Sequence, residues 1–407
     1  MWQSYESFIN FLVRQPSVQR PLPDTPHDAS FMNTGVVMTK DAIADVAGNF
    51  RIYGTLLESQ PYGSGHINDT FVTTYSQAGT RVRYIIQRIN TQIFKDPEAV
   101  MENILRVTDE GYRCLIDADV ADPSRCVLTV IPSKDGRSHV SDEQGGIWRC
   151  YPFIEGARTY DIIRNARQAT EVAKAFGEFQ RLVAGLKGPR LHETIPNFHN
   201  TRARFGKLLA AVEADPKRRL SSVQKEWDFL REREALVDVL LDFQARGEIP
   251  ERITHNDTKL NNVMVDDATE TGICVIDLDT VMPGLALYDF GDMVRTATSP
   301  AAEDETDLSK VRMQMPMFQA LVRGYLSSAG GFLNDAEKAY LAFSGKLISL
   351  EVGIRFLTDY LEGDVYFKTK HPTHNLDRCR TQLAMVASIE TQEEAMRRFV
   401  DSLGKSL

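Results

Sequence analysis

The sequence predicts an α+β fold of two lobes, a small β-rich N-terminal lobe followed by a large, mainly helical C-terminal lobe. Between about residues 50 and 150 the apolar residues are β-branched and aromatic, and glycine turns separate them, which is typical of strands. After about residue 155 the apolar residues recur at helical spacing instead. We therefore place the N-lobe at 41–150 and the C-lobe at 151–407, with 1–40 as an N-terminal extension or linker.

Composition excludes several classes of protein. The chain has 407 residues, a formal net charge of −9, and 43% hydrophobic and 25% charged residues, as expected for a globular protein and not for a fibrous or disordered one. The acidic charge and the lack of a Lys/Arg cluster argue against nucleic acid and anionic membranes as partners. Neither a signal peptide nor a membrane-spanning run is recognisable, and the five scattered cysteines indicate reduced thiols, so we expect a cytoplasmic protein. We also expect a monomer.

Local signals predict the elements of the N-lobe in order. Prolines among polar residues predict an irregular linker over 14–37. β-Branched and aromatic residues predict strands at Phe71–Tyr75 and Arg83–Ile89. Asp96, directly before a proline, is a helix-start signal, so one helix is expected to begin there.

An apolar segment, Trp148–Ile154, is expected to connect the lobes. Two short strands, Asn262–Val265 and Ile273–Leu278, interrupt the helical pattern that follows. A cleft between two such lobes is a natural ligand site. The expected helices of the C-lobe lie around Val172–Val183 and over 217–247, 310–327, 334–362 and 386–402.

The clearest chemical signal is the segment 255–262, which reads HNDTKLNN. Phosphoryl transfer from ATP needs a carboxylate for the acceptor hydroxyl, an amide and a second carboxylate for the metal, and a cation for the γ-phosphate. Asn262 follows Asp257 by five residues and Lys259 follows it by two, which is the spacing of kinase catalytic loops. Asp277 comes 20 residues after Asp257, at the end of an apolar strand that a hairpin returns to the same cleft.

The loop alone is weak support, because Asp and Asn are common in turns. The strand that ends at Asp277 and the β-rich lobe upstream favour the phosphoryl-transfer interpretation. Another tripeptide, Asp289-Phe290-Gly291, matches the metal-binding DFG of protein kinases but follows a Pro-Gly turn and no buried strand. We expect Asp289 to cap a helix or to support the catalytic loop.

Nucleotide-binding residues are sought in the N-lobe. Gly63, Gly65 and Asn68 belong to its one glycine-rich turn before a strand, where backbone N–H groups can approach phosphates; an ordinary hairpin is the alternative. The strand lysine of kinases is missing: Gln87 occupies its register and Arg88 supplies a charge that alternation places on the other face. Glu102, on the helix that follows, is the candidate partner of Gln87 or Arg88; an exposed glutamate with no such role is the alternative. Tyr151 and Phe153 are the candidates for contact with adenine.

The acceptor site is sought on the helix that carries Glu351, Arg355 and Asp359, which recur every four residues on one face. A solvated ladder of ion pairs is the alternative interpretation. The apolar residues around them favour a buried helix, and buried charges need partners such as a polyhydroxylated ligand. His371 and His374 lack a third ligand nearby, so a metal pair is not expected there.

At this point the sequence resembles a known family. The segments GSGHINDT at 63–70, THNDTKLNN at 254–262, IDLDTVMPG at 276–284 and RFLTDYLEGD at 355–364 are similar to those of the aminoglycoside phosphotransferase-like kinases, and within them of the N-acetylhexosamine 1-kinases. The resemblance extends over roughly residues 50–395.

This resemblance implies a protein-kinase-like two-lobe fold, ATP with Mg²⁺, and phosphorylation of the anomeric hydroxyl of N-acetylglucosamine or N-acetylgalactosamine. It implies Asp257 as the base and Asn262 and Asp277 as metal ligands. Candidates for binding the sugar are then Arg355, Asp359 and Tyr366. Gln87 departs from the kinase pattern, which leaves the contact to the α- and β-phosphates open.

Two other functions remain open. One is a kinase of the same fold for another small alcohol, such as an aminoglycoside, choline or homoserine; Arg355 argues against a cationic acceptor. The other is a non-catalytic module that only binds nucleotide, against which Asp257, Asn262 and Asp277 argue.

Overall fold

The computed structural model describes residues 40–63 and 67–404, and Gly65 of the glycine-rich turn lies outside the described residues. The N-lobe contains one antiparallel sheet of five strands in the order β1-β2-β3-β5-β4. Helix α1 packs beside it, and helix α2 follows β3. The bounds are α1 Lys40–Ala47, β1 Thr55–Pro61, β2 Asp69–Gln77, β3 Thr80–Arg88, α2 Pro97–Asp117, β4 Val140–Ser141 and β5 Ile147–Pro152.

The two predicted N-lobe strands are confirmed, at β2 and β3. Alternation along β3 places Ile86 in the core of the sheet, where it meets Phe71 of β2 and Trp148 of β5. The predicted start of α2 is also confirmed, since the Asp96 side chain accepts a hydrogen bond from the N–H of Ala99. The apolar face of α2, including Ile104, joins the larger core of the C-lobe.

The C-lobe is mainly helical and includes two small sheets, one of β7 and β10 and one of β6, β8 and β9. Its long central helix, α10, is buried along most of its length. The bounds are β6 Ala157–Arg158, α3 Ala166–Val183, α4 Thr201–Ala214, α5 Gln224–Arg231, α6 Val239–Ala245, β7 Arg252–Thr254, β8 Val263–Asp266, β9 Gly272–Val275, β10 Met282–Gly284, α7 Ala286–Ala297, α8 Met315–Ala329, α9 Asp335–Ala339, α10 Leu341–Glu362, α11 His374–Glu390 and α12 Glu393–Gly404.

Three predicted helices are each divided in the structure. The helix expected over 217–247 is α5 and α6 with a 3-10 turn, Glu234–Asp238, between them. Leu230, Val237 and Leu240 are all fully buried at spacings that a continuous helix also produces, so the apolar period does not reveal the break.

The helix expected over 334–362 is divided at Tyr340, into α9 and α10, and the one expected over 386–402 at Thr391, between α11 and α12. The expectation of uninterrupted helices is therefore wrong at these positions, although the helical state itself is confirmed. In the part of the chain that the structure describes, no helix combines the length and apolarity needed to cross a membrane.

Candidate active site

The catalytic-loop segment connects β7 to β8 and gathers the predicted side chains. Lys259 Nζ lies 2.7 Å from Asp257 Oδ1, and Asn262 Nδ2 donates to the main-chain oxygen of Asp257 at 2.8 Å and to its Oδ2 at 3.2 Å. Burial opposes ionisation of Asp257, but the neighbouring Lys259 outweighs it and lowers the pKa of the carboxyl. Asp257 is thus an ionised, oriented carboxylate at neutral pH.

His255 connects this loop to the segment that carries Asp277. The fully buried imidazole donates from Nε2 to the main-chain oxygen of Ile276 at 2.9 Å, and its Nδ1 accepts from the N–H of Asp257 at 3.3 Å. Its ring packs edge-on against Phe176 of α3. A neutral imidazole satisfies both bonds.

Two further hydrogen bonds join the same segments. Thr280 Oγ1 donates to the main-chain oxygen of His255 at 2.7 Å, and Asn256 Nδ2 donates to the main-chain oxygen of Thr280 at 2.9 Å. The N–H of Ile276 donates to the main-chain oxygen of Asn262 at 2.9 Å. The structure therefore brings Asp257, Asn262 and Asp277 to one place.

Asp277 follows β9 and has a left-handed backbone, with φ 60° and ψ 59°. Burial, with the carboxylates of Asp279 and Asp257 nearby, raises the pKa of Asp277 to about 6. Such crowding of carboxylates is what a bound cation relieves.

The donors at this place fit Mg²⁺. Asp277 offers a carboxylate, and Asn262 offers the amide oxygen, since its Nδ2 is the atom that bonds to Asp257. Mg²⁺ prefers oxygen ligands and is held in kinases by one or two side chains together with phosphate oxygens. Accordingly, no cluster of three or more His, Cys, Asp or Glu side chains suited to a metal was found within the described ranges.

The tripeptide Asp289-Phe290-Gly291, which matches DFG but was not expected to bind the metal, supports the catalytic loop. Asp289 lies in α7 and is fully buried, and its carboxylate accepts from the N–H groups of His255 at 2.9 Å and Asn256 at 2.7 Å and from Gln180 Nε2 at 2.6 Å. Thr258 Oγ1 donates to its main-chain oxygen at 2.6 Å. The interpretation of Asp289 as a residue that supports the loop is confirmed by these bonds.

The cleft face of the N-lobe sheet carries Gln87, Thr70 and Arg149, which lie side by side on β3, β2 and β5. Gln87 Nε2 donates to Thr70 Oγ1 at 2.9 Å, and Gln87 Oε1 accepts from Arg149. Arg88 lies on the other face of the sheet, with its guanidinium 6.0 Å from the Trp148 ring. Alternation along β3 thus separates the two residues as predicted.

The predicted Asn68 reaches across the cleft: its Nδ2 donates to Asp279 Oδ2 at 2.6 Å, and its Oδ1 accepts from the N–H of Asn90 at 3.0 Å. Asn68 thus connects the end of the glycine-rich turn with the segment that follows Asp277. Gly63, at the other end of that turn, has φ 82°, which favours glycine.

The expected pairing of Glu102 with β3 is corrected by the structure. Glu102 lies on a half-exposed face of α2, and its carboxylate is 2.9 Å from His192 Nε2 and 3.9 Å from Arg106. Because the apolar face of α2 packs into the C-lobe core, the position of Glu102 on the helix turns it away from the strand.

The two aromatic residues predicted to contact adenine lie at the connection of the lobes. Tyr151 is buried at the end of β5. Phe153 packs edge-on against Tyr62, with ring centroids 5.5 Å apart, and Arg83 stacks on it at 3.8 Å. The ring of Phe153, at the connection of the lobes, is therefore partly covered by the side chains of Tyr62 and Arg83.

The predicted acceptor residues lie along α10. Glu351 is fully buried, its Oε1 is 2.9 Å from His199 Nδ1, and its Oε2 has no partner among the described residues. His199 Nε2 lies 3.4 Å from the main-chain oxygen of Asn256, the residue before Asp257. Arg355 is part-exposed and lies between the rings of Phe198, at 5.2 Å, and Phe367, at 5.5 Å.

Asp359 organises the chain after α10. Its carboxylate accepts from the N–H groups of Val365 at 2.9 Å, Tyr366 at 2.7 Å and Phe367 at 3.0 Å, and from Asn375 Nδ2 at 2.8 Å. Both oxygens are therefore engaged within the protein. Tyr366, with 58% of its surface exposed, remains open to solvent.

Sequence reasoning did not identify three residues of this site, Arg149, Asp279 and His199. Arg149 and Asp279 meet across the cleft although they are 130 residues apart, and His199 is 152 residues from its partner Glu351, which the sequence had indicated. One signal for Arg149 was present, since a charged residue inside the apolar segment Trp148–Ile154 needs a buried partner.

A β-rich lobe, a helical lobe and an Asp-x4-Asn loop facing a strand-end aspartate define the class of protein-kinase-like two-lobe proteins. The chain belongs to the phosphotransferase enzyme family, whose sequence profile matches residues 58–318.

The fold is similar to two solved structures. One is an aminoglycoside phosphotransferase from Alicyclobacillus acidocaldarius, with a TM-score of 0.57 and 10% identity over 91% of this chain and 98% of that one. The other is a spectinomycin phosphotransferase in complex with ADP and spectinomycin, with a TM-score of 0.50 and 15% identity over 88% of this chain and 99% of that one. At these identities the similarity shows the fold.

Proposed function

We propose that this protein is an ATP- and Mg²⁺-dependent kinase that phosphorylates the anomeric hydroxyl of an N-acetylhexosamine, N-acetylglucosamine or N-acetylgalactosamine. The observation that carries the proposal is the convergence of Asp257, Asn262 and Asp277, which the buried His255 holds together through Ile276. Phosphoryl transfer depends on such positioning more than on covalent chemistry by the protein.

Four observations support the nucleotide and the metal. The chain is a member of a phosphotransferase family, and a similar structure, the spectinomycin phosphotransferase, contains ADP. Asp277 and Asn262 would hold Mg²⁺, whose charge offsets that of the phosphates. Burial and the carboxylates of Asp279 and Asp257 raise the pKa of Asp277, and a bound cation would offset the cost of its ionised form. Gly63, Asn68 and Gln87 lie on the N-lobe side, where the phosphates and adenine are expected.

Asp257 would act on the acceptor. A hemiacetal hydroxyl at C1 is more acidic than an ordinary alcohol, so a carboxylate of low pKa need only orient it and accept its proton late. The proton moves to Asp257 as the sugar oxygen forms its bond to the γ-phosphorus and the bond from that phosphorus to ADP breaks. Lys259, 2.7 Å from Asp257, would stabilise charge on the transferred group.

The assignment to N-acetylhexosamines rests on the sequence motifs described above and on the residues around Arg355. Two aromatic rings flank Arg355, and Glu351 presents a buried carboxylate oxygen without a protein partner among the described residues. A buried acceptor of this kind calls for a donor such as a sugar hydroxyl or amide. We propose that Arg355 and Tyr366 contact the sugar and that Asp359, whose oxygens are engaged, positions Tyr366.

The test is ADP release from MgATP with a panel of acceptors: N-acetylhexosamines, plain hexoses, aminoglycosides, choline and homoserine. We expect turnover with N-acetylglucosamine or N-acetylgalactosamine and loss of the reducing end in the product. A product that still reduces would contradict transfer to C1. Turnover with choline, homoserine or an aminoglycoside instead would assign another acceptor to the same fold. If none of the acceptors on the panel caused ADP release, only the binding of nucleotide would remain as a function.

A further inference from the structure

The proposed phosphate site lacks the cation that kinases place on β3. Protein kinases use a strand lysine to bind the α- and β-phosphates. Gln87 occupies that register here and carries no charge, and Arg88 points to the opposite face of the sheet, toward Trp148. A nucleotide bound beside Asp277 would therefore need its cation from another strand.

Arg149 lies where that cation is needed. It is on β5, directly opposite Gln87 in the ladder of β3 and β5, so the two side chains share the cleft face of the sheet. Its guanidinium donates from Nε and Nη2 to Gln87 Oε1, at 3.0 and 2.9 Å. Gln87 is thus the residue that orients the arginine.

The other side of the guanidinium faces the C-lobe. Nη1 of Arg149 bonds to the carboxylate of Asp279, two residues after the proposed metal ligand Asp277. Asn68, from the end of the glycine-rich turn, donates to the second oxygen of the same carboxylate. Arg149 therefore lies where three parts of the protein meet: the N-lobe sheet, the end of the glycine-rich turn and the segment that follows Asp277.

A structural role alone explains this arrangement poorly. Arg149 and Asp279 are only 1% and 2% exposed, and a buried ion pair is generally no more stabilising than two well-packed apolar residues. A guanidinium has five N–H groups, and the three bonds above leave one each on Nη1 and Nη2 without a partner among the described residues. Paired N–H groups of this kind suit phosphate oxygens.

We propose that Arg149 binds the phosphates of the nucleotide in place of the strand lysine, with Gln87 and Asp279 orienting its guanidinium. The proposal rests on the proposed function, because it takes Asp277 to be at the metal and the phosphates. It assigns a phosphate-binding residue on β5, and it gives Gln87 a positioning role.

The test compares the binding of MgADP with that of adenosine, by calorimetry, in the wild type and in Arg149→Met. Losing a charged donor should weaken ADP at least about tenfold and change adenosine by less than about twofold. A variant with a merely structural defect would weaken both ligands together. The matched control is Arg137→Met, which removes an exposed arginine of the N-lobe that pairs with Asp135. It should bind ADP like the wild type.

A second variant tests directly whether Arg149 replaces the strand lysine. Gln87→Lys in the Arg149→Met background returns a cation to the register used by protein kinases and should recover most of the lost ADP affinity. If Arg149→Met does not fold, Arg149→Lys keeps the charge beside Asp279 while it loses the paired donors to Gln87. It should still weaken ADP and leave adenosine unchanged.

The outcomes separate the two proposals. Normal ADP binding by Arg149→Met or Arg149→Lys, while the wild type binds ADP and turns over, would overturn this inference and leave the proposed function standing. Weakened ADP binding in Arg88→Met but not in the Arg149 variants would overturn it as well. A wild-type protein that binds no MgADP would overturn both.

Discussion

His255 Nε2 donates to the main-chain oxygen of Ile276 at 2.9 Å, and this bond joins the catalytic loop to the residue before Asp277. The same ring accepts the N–H of Asp257 at its Nδ1. One buried imidazole therefore fixes the separation between the proposed base and the proposed metal ligand.

Replacing His255 by phenylalanine tests the role of these two hydrogen bonds. His255→Phe keeps a ring against Phe176 but leaves the buried oxygen of Ile276 without its donor, which should cost about 1–3 kcal/mol in the free energy of unfolding. Denaturant unfolding measures this cost, and kcat should fall as well. His371→Phe, at a half-exposed histidine, is the control. Equal stability of the two variants would contradict the role given to His255.

Asp257→Asn should abolish turnover and leave ATP binding nearly intact, because the amide cannot accept the proton of the acceptor hydroxyl. General-base catalysis contributes about 10²–10⁴-fold, so kcat should fall by at least about a hundredfold. Steady-state kinetics and a separate titration with nucleotide distinguish the two effects. Retention of more than about a tenth of kcat, which is about 1.4 kcal/mol of barrier, would refute the assignment of Asp257 as the base.

Asp277→Asn and Asp289→Asn should separate metal binding from support of the loop. The first should raise the Mg²⁺ concentration needed for half-maximal rate, since an amide is a weaker ligand than a carboxylate. The second should lower stability, because an amide cannot accept all three N–H donors that surround Asp289, and should leave the Mg²⁺ requirement unchanged. The reverse pattern would make Asp289 the metal ligand.

Titration of Asp277 gives a prediction about pH. Its pKa is about 6 in the folded protein and 3.8 for an ordinary aspartate, so between these values the folded state holds more protons than the unfolded state. The contribution of Asp277 to stability without metal should therefore decrease as the pH rises from about 4 to 6 and stay constant above.

Denaturant unfolding at several pH values, with Asp277→Asn as reference, measures this change. The variant should gain stability relative to the wild type as the pH rises through this range. A difference that does not vary with pH would contradict the prediction. Mg²⁺ competes with the same proton, so its affinity for the wild type should also fall by up to about tenfold per pH unit below 6.

Arg355→Met should raise KM for the sugar and leave KM for ATP unchanged, because Arg355 lies between Phe198 and Phe367, on the proposed acceptor side. Loss of a charged hydrogen bond predicts an increase of about tenfold or more. Arg398→Met, at an exposed arginine, is the control. An effect on KM for ATP of the same size would place Arg355 outside the acceptor site.

The sequence predicted those parts of the site that short spacing determines. Asp257, Lys259 and Asn262 lie within one loop, and Asp277 follows the strand that pairs with the end of that loop, so hairpin geometry brings them together. The N-lobe strands and the start of α2 were likewise predicted from local composition and from the Asp96 cap.

The remainder depends on tertiary packing. The contact of Gln87 with Arg149 follows from the register of β3 against β5, which single-strand alternation does not determine. The direction of Glu102 depends on which core α2 joins. Asp359 was expected to contact the sugar directly, but its carboxylate accepts backbone N–H groups of the segment after α10, whose path the helical period does not indicate.

The most direct test of the central claim is Mn²⁺ binding in the presence of ADP, followed by electron paramagnetic resonance, with Mn²⁺ as the probe for Mg²⁺. The wild type should bind Mn²⁺ together with ADP, and Asp277→Asn and Asn262→Ala should each weaken this binding at least about tenfold, while Asp289→Asn keeps it. Equal Mn²⁺ affinity in Asp277→Asn, Asn262→Ala and the wild type would contradict a metal–nucleotide site at these residues.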